Sequence, residues 1–150
     1  MSDRARILLV EDDSGYARLV EITLGKPGGS IEFDLTWVPT LSDAVQRINI
    51  TRPDAILLDL NLPDGRGLNT LISVVERAPD IPIIVVTVLD DEMLAIQAMQ
   101  KGAQDYLVKD HPDKNLLSRT IRYAIERKRA EEEIRRLNME LEQRVIERTA

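Results

Sequence analysis

Asp59 is the residue from which the chemistry of this chain can be assembled. It closes Ala55-Ile56-Leu57-Leu58, four apolar residues lying between Pro53 and Pro63, which read as a short strand buried on both faces, as inside a parallel sheet covered by helices. Open α/β sheets hold their ligands in the crevice outside the carboxyl ends of the strands, so this strand delivers a carboxylate to such a crevice. Three more strands end on matching groups: Arg6–Val10 on Glu11-Asp12-Asp13, Ile83–Val86 on Thr87, and Asp105–Val108 on Lys109. Alone, each of these is an ordinary cap, turn or strand-end residue. At the ends of strands 1, 3, 4 and 5 of one sheet, Glu11, Asp12, Asp59, Thr87 and Lys109 converge on a single rim. Three carboxylates within a few ångströms repel, and a proton or a cation must compensate. Mg²⁺ suits them best, because it takes hard oxygen ligands and is usually held by one or two carboxylates together with substrate phosphate. A carboxylate facing such an ion, with a lysine beside it, can attack phosphorus and carry an aspartyl phosphate, its oxygens neutralised by both cations.

The elements that position these groups alternate along the chain. After the first strand, Asp13 or Ser14 caps a helix from about Gly15 to Leu24, with Leu19, Val20, Thr23 and Leu24 at helical spacing. Lys26-Pro27-Gly28-Gly29-Ser30 ends it. Ile31, Phe33, Leu35 and Trp37 then alternate with polar residues, the pattern of a strand with one wet face at a sheet edge. Pro39-Thr40 opens a helix with Leu41, Ala44, Val45 and Ile48 inward, Gly65-Arg66-Gly67 reads as a loop, and Leu68, Leu71, Ile72 and Val75 line a third helix. Asp90-Asp91-Glu92 places acids in the first turn of a fourth, and Lys101-Gly102 closes it. The pattern predicts a doubly wound five-stranded parallel sheet, and the alternating second strand favours the order 2-1-3-4-5, which leaves it at the edge. From Pro112 or Asp113 there is no Gly and no further Pro to residue 150, so one helix of about 36 residues, about 54 Å long, is expected. A domain of this size has a radius of gyration near ~13 Å, so the helix overhangs it.

Composition narrows the function. The chain has 150 residues, 43% hydrophobic and 31% charged, with no Cys, which removes disulfides, thiolate metal sites and Cys nucleophiles and fits a reducing cytoplasm. No apolar run reaches membrane-spanning length, and the N-terminus runs directly into the first strand, so neither a membrane span nor a signal peptide is expected. Residues 1–110 carry 18 acids against 10 Lys and Arg, whereas residues 111–150 carry 8 against 10. An acidic globular part argues against a nucleic-acid backbone as its partner. The single His111 has no His or Cys companion and reads as a loop residue. A nucleotide-binding domain would need a glycine-rich loop after the first strand, where this chain has Glu11-Asp12-Asp13. An aspartyl-phosphate phosphohydrolase would need a second Asp two residues after the nucleophile; Asn61 stands there.

These residues resemble the receiver domains of two-component response regulators, the CheY-like fold, over residues 5–125. Glu11-Asp12 matches the acidic pair, Asp59 in Leu57-Leu58-Asp59-Leu60-Asn61-Leu62-Pro63-Asp64-Gly65 the phosphoacceptor, Thr87 the switch hydroxyl, Tyr106 the switch aromatic and Lys109 the family lysine. The resemblance implies that Asp12, Asp59 and the Asn61 backbone carbonyl ligate Mg²⁺, with Glu11 acting through water. It implies a histidine kinase or phosphotransfer protein as donor and a signalling role rather than turnover. Two departures matter. Lys109 is followed by Asp110 where the family usually has a cis proline, so a trans bond is expected there. Val88 follows the switch hydroxyl where Ala or Gly is usual, and its branched side chain is expected to narrow access to Asp59.

The chain divides into a receiver over 1–125 and an extended helix over 126–150. That tail resembles the helices leading into sensor or kinase modules, so a longer protein is expected, with a stand-alone adaptor as the alternative. Oppositely charged pairs at i,i+4, Lys128–Glu132, Arg129–Glu133, Glu131–Arg135 and Glu132–Arg136, support the helix only weakly. Ile134, Leu137 and Leu141 form a short a-d-a seam that Arg144 breaks and Val145 and Ile146 resume off register. A parallel homodimer through this helix is the expected assembly.

Overall fold

A computed structural model describes residues 3–29, 31–88, 92–110 and 112–149. The expected first-turn acids Asp90 and Asp91 and the loop reading of His111 fall outside the described residues, as does Ser30 of the turn after the first helix. In chain order the elements are β1 (Asp3–Val10), α1 (Ser14–Gly25), β2 (Ile31–Val38), α2 (Leu41–Ile50), β3 (Ala55–Asp59), α3 (Leu68–Arg77), β4 (Ile83–Thr87), α4 (Glu92–Gln100), β5 (Asp105–Val108) and α5 (Lys114–Thr149). The five strands form one parallel sheet in the order β2-β1-β3-β4-β5, as the alternating second strand implied.

The sheet is buried by its two faces in alternation. Leu8, Val10, Ile56, Leu58, Ile83 and Val85 point into one core with Ala44 and Ile48 of α2, Leu71 and Val74 of α3 and Ala98 of α4. Ile7, Leu9, Ala55, Leu57, Ile84 and Val86 point into the other with Ala17, Val20 and Leu24 of α1 and Leu117, Ile121 and Ala124 of α5. Every residue of β3 and β4 is buried, because a central parallel strand has helices on both sides. Asp59 and Thr87 close these strands, so the core carries them to the rim.

Three expectations change in detail. The buried side of α1 is Ala17, Val20, Thr23 and Leu24, whereas Leu19 is exposed; the small Ala lets the helix approach the sheet, which a leucine count does not register. The buried side of α3 is Thr70, Leu71 and Val74, turned from the expected stripe, with Leu68 and Val75 packed at its margin. Gly65-Arg66 is not bare loop: Asn61–Leu62 and Gly65–Arg66 pair as a two-residue antiparallel ladder. A Cβ on Gly65 would stand 2.9 Å from Thr70 Oγ1 and 3.0 Å from Leu41 Cδ2, so this turn lies against both α2 and α3.

α5 runs 36 residues without a break. Ile121, Ala124 and Ile125 are its last residues in the core. Just beyond them, Arg127 Nη2 meets Asp105 Oδ2 at 3.3 Å and Gln104 Nε2 donates to Glu131 Oε1 at 3.2 Å, tying the helix to the start of β5. Further on, Lys128 pairs with Glu132 as expected, while Arg136 reaches back to Glu133 at 2.5 Å and forward to Glu140 at 2.7 Å. Ile134, Leu137, Leu141, Val145 and Ile146 all stand exposed. No helix among the described residues is long and apolar enough to cross a membrane.

Candidate functional site

β1 and β3 pair with Val10 beside Leu58, and β3 and β4 pair with Asp59 beside Val86. β1 and β3 therefore release Glu11 and Asp59 at the same level, with Thr87 one residue further along β4. Glu11 and Asp59 are almost fully enclosed, at 0% and 5% exposure, whereas Asp12 faces solvent. Carboxylate oxygens of Glu11, Asp12 and Asp59 lie within 4.8 Å of one another. The Lys109 ammonium sits inside this group, 2.9 Å from Asp59 Oδ2 and 2.5 Å from Glu11 Oε1. The Glu11 contact is a close ion pair to a fully buried carboxylate. Asp59 Oδ1 accepts the Asn61 amide at 2.9 Å, which folds the β3 exit back over its own carboxylate.

Lys109 is held from several sides. Its backbone amide donates to the Thr87 carbonyl at 2.5 Å, and its ammonium lies 5.3 Å from the centre of the Tyr16 ring, within cation–π range. Burial alone would lower the ammonium, but Glu11 and Asp59 together hold its pKa above the ordinary value. Burial, with Asp59 adding to it, pushes Glu11 up to about 8 against the opposing pull of Lys109. Burial likewise raises the Tyr16 hydroxyl. One lysine does not balance three carboxylates, and the acid with the least water takes up the proton.

Thr87 is buried at the end of β4, in register with Val108. Tyr106 lies three residues before Lys109 on β5 and is 41% exposed. Val88 is exposed on the rim after Thr87. The described backbone contains no cis peptide, so Lys109–Asp110 is trans as expected. The sequence-picked side chains of Glu11, Asp12, Asp59 and Lys109 are thus brought into one cluster; Thr87 joins it through the backbone of Lys109, and Tyr106 stands on its outer flank.

Three residues around the cluster were not singled out by sequence. Asp64, in the turn after β3, spreads its carboxylate over the start of α2: Oδ1 accepts Leu41 N at 2.8 Å and Oδ2 accepts Ser42 N at 2.9 Å, and these two hydrogen bonds hold its pKa below the ordinary value. Its place beside Pro63 and Gly65 marked a turn, but only the fold shows which helix it caps. Tyr16 carried no signal beyond being an aromatic in the first turn of α1. Trp37, on the edge strand, donates its indole N–H to the Glu11 carbonyl at 2.6 Å.

An all-oxygen donor set of three carboxylates, with one side open to solvent through Asp12, fits a hard divalent cation such as Mg²⁺.

Comparison with known proteins agrees with this arrangement. Transcriptional regulatory protein KdpE of Staphylococcus aureus is 40% identical over 109 residues, covering 71% of this chain and 44% of that protein. Regulatory protein LuxO of Vibrio cholerae is 40% identical over 101 residues, 67% of this chain and 21% of that protein. The chain therefore spans less than half the length of these two relatives. Among solved structures, the signal receiver domain of a LuxO repressor protein from Vibrio parahaemolyticus superposes with a TM-score of 0.74 at 30% identity, covering 87% of this chain and 97% of that one. Residues 7–121 match the response regulator receiver domain family, and with this cluster at the rim of a β2-β1-β3-β4-β5 sheet, the chain belongs to that family.

Proposed function

We propose that this receiver takes a phosphoryl group onto Asp59 from a phosphohistidine on a histidine kinase or phosphotransfer protein, and that the added charge switches an interaction surface. The observation that carries the reading is the Lys109 ammonium lodged between the Asp59 and Glu11 carboxylates, at 2.9 and 2.5 Å, within the three-carboxylate cluster. In the transfer the phosphorus–nitrogen bond to the donor imidazole breaks, a bond from an Asp59 oxygen to phosphorus forms, and the imidazole leaves with its electron pair. Lys109 stabilises charge on the phosphoryl oxygens, and Asn61 N holds the Asp59 carboxylate in one orientation. Asp12, Asp59 and the Asn61 carbonyl would hold Mg²⁺, with Glu11 acting through water. When bound, Mg²⁺ supplies a second positive centre for the phosphoryl oxygens. Thr87 turns its hydroxyl to the new phosphoryl group and Tyr106 moves inward behind it, which alters the surface of α4, β5 and α5.

The receiver occupies residues 1–125, and 126–150 is a linker helix that pairs two copies in parallel through Ile134, Leu137 and Leu141. The acidic 1–110 part leaves nucleic acid out of this portion's partners, and a reducing cytoplasm suits a cysteine-free phosphoacceptor. Relatives that are transcriptional regulators by name extend well beyond the matched part, so an output module is read as lying outside this helix.

Intact-mass measurement after incubation with acetyl phosphate and Mg²⁺ tests the assignment. One phosphoryl group per chain is expected, lost in EDTA and lost in Asp59→Asn. Stoichiometric labelling of Asp59→Asn would overturn it.

A further inference from the structure

We infer that Trp37 is a positioning residue for the cation site: its indole N–H fixes the peptide that carries Glu11 and Asp12. The inference rests on the phosphoacceptor reading and adds to it a residue outside the acidic cluster. Trp37 is the only tryptophan of the chain and lies on β2, one of the two edge strands of the sheet, with 40% of its surface exposed. Trp37 belongs to neither core cluster, yet its Nε1–H reaches the Glu11 carbonyl at 2.6 Å. The preceding peptide unit is held as well, because Glu11 N donates to the Val38 carbonyl at 3.0 Å. Trp37 and Val38 thus grip residue 11 at both backbone groups, just where β1 stops pairing in register at Val10.

The consequence is local. The carbonyl that Trp37 holds belongs to the peptide bond joining Glu11 to Asp12, so its direction sets where both side chains leave the backbone. Glu11 is additionally fixed by enclosure and by Lys109. Asp12 is exposed, so enclosure does not fix its side chain and the backbone that Trp37 clamps decides where it leaves the chain. Without the indole donor the carbonyl turns to water and the peptide gains freedom. The three carboxylates then meet a cation only after that freedom is lost again, so affinity falls while the fold, whose core does not include Trp37, is kept.

Mg²⁺ binding to the full chain, followed by titration calorimetry on wild type and Trp37→Phe, tests this. Phe keeps an aromatic ring on the strand and removes the donor. We expect the Mg²⁺ dissociation constant to rise about five-fold, the cost of re-ordering roughly one freed backbone residue, and the melting temperature in EDTA to fall by only a few degrees, because the hydrogen bond is present without the cation. A second measurement needs no variant: wild-type fluorescence, which reports Trp37 alone among tryptophans, should change on Mg²⁺ addition with the calorimetric midpoint. Equal Mg²⁺ affinities, or wild-type fluorescence blind to saturating Mg²⁺, would overturn the role of Trp37. Wild-type chain that binds no Mg²⁺ at millimolar concentration would overturn the phosphoacceptor reading beneath it.

Discussion

Replacing Asp64 by alanine should destabilise the receiver through a helix that carries none of the cluster. In the native fold its two carboxylate oxygens satisfy the amides of Leu41 and Ser42, at 2.8 and 2.9 Å, while Thr40 Oγ1 satisfies Asp43 N at 3.1 Å. The first turn of α2 is thus capped by a residue from the turn after β3. An N-terminal helix cap contributes ~0.5–2 kcal/mol, and a negative charge at that end of the dipole adds a few tenths to about 1. With Thr40 left in place, Asp64→Ala should cost about 1–2 kcal/mol, or roughly 3–6 °C in melting temperature for a domain of this size. The charge also gives the effect a pH signature. A carboxylate whose folded pKa lies below its ordinary 3.8 binds fewer protons folded than unfolded, so its stabilisation is present above that value and is lost as pH falls through the folded pKa. Asp64→Asn does not titrate, so its deficit relative to wild type should be constant near neutrality and shrink below pH about 4. Urea unfolding followed by circular dichroism in EDTA measures both. Equal urea midpoints for wild type and Asp64→Ala, or a deficit in Asp64→Asn that persists unchanged into acid, would refute the capping argument.

The remaining expectations concern the cluster and the tail. Glu11, raised from 4.5 to about 8, holds a proton in the fold that the unfolded chain has shed. In EDTA, stability should therefore be fully present below pH ~4.5 and decline as pH rises toward about 8, at no more than about 1.4 kcal/mol per unit, and excess Mg²⁺ should flatten the slope; a flat profile in EDTA would sink this. Val88→Ala should quicken labelling of Asp59 by acetyl phosphate and loss of the label, if the exposed valine beside Thr87 narrows the approach; unchanged rates for both would dismiss it. Light scattering at tens of micromolar should give a dimer mass for the full chain and a monomer mass for residues 1–126, and monomers in both would end the coiled-coil reading.

The cluster could be read in the sequence because β1, β3 and β4 carry apolar runs that only a buried strand explains, and they and β5 stop on carboxylates, a hydroxyl and an ammonium. Parallel pairing then leaves those ends nowhere to go but one rim. The order of strands was legible from β2 alone, whose alternation requires a wet face. Helix faces were less legible: periodicity names the apolar residues, but Ala17 and Thr70 are buried because they are small enough to let a helix approach, and Leu19 is left outside. The contacts of Asp64 and Trp37 were not legible at all. Each joins two segments more than 20 residues apart through a backbone group, and backbone groups leave no pattern in a sequence.

Why the fold tolerates this cluster follows from where its cost is placed. Glu11 and Asp59 are enclosed by the ends of strands whose other residues form the two cores, so the repulsion of the carboxylates acts on the best-anchored part of the sheet. One lysine from β5 offsets part of it, and the remainder is expressed as the raised pKa of Glu11. β5 itself is short, an edge strand, and held at its far end by exposed contacts of Gln104 and Asp105 with α5, each worth little on its own. The element that carries Lys109 is therefore the least firmly anchored of the four strands that meet at the site. A change of charge at Asp59 acts on Lys109 first, through a 2.9 Å contact. In the proposed switch the overhanging helix would respond next, because the same four-residue strand meets it through Asp105.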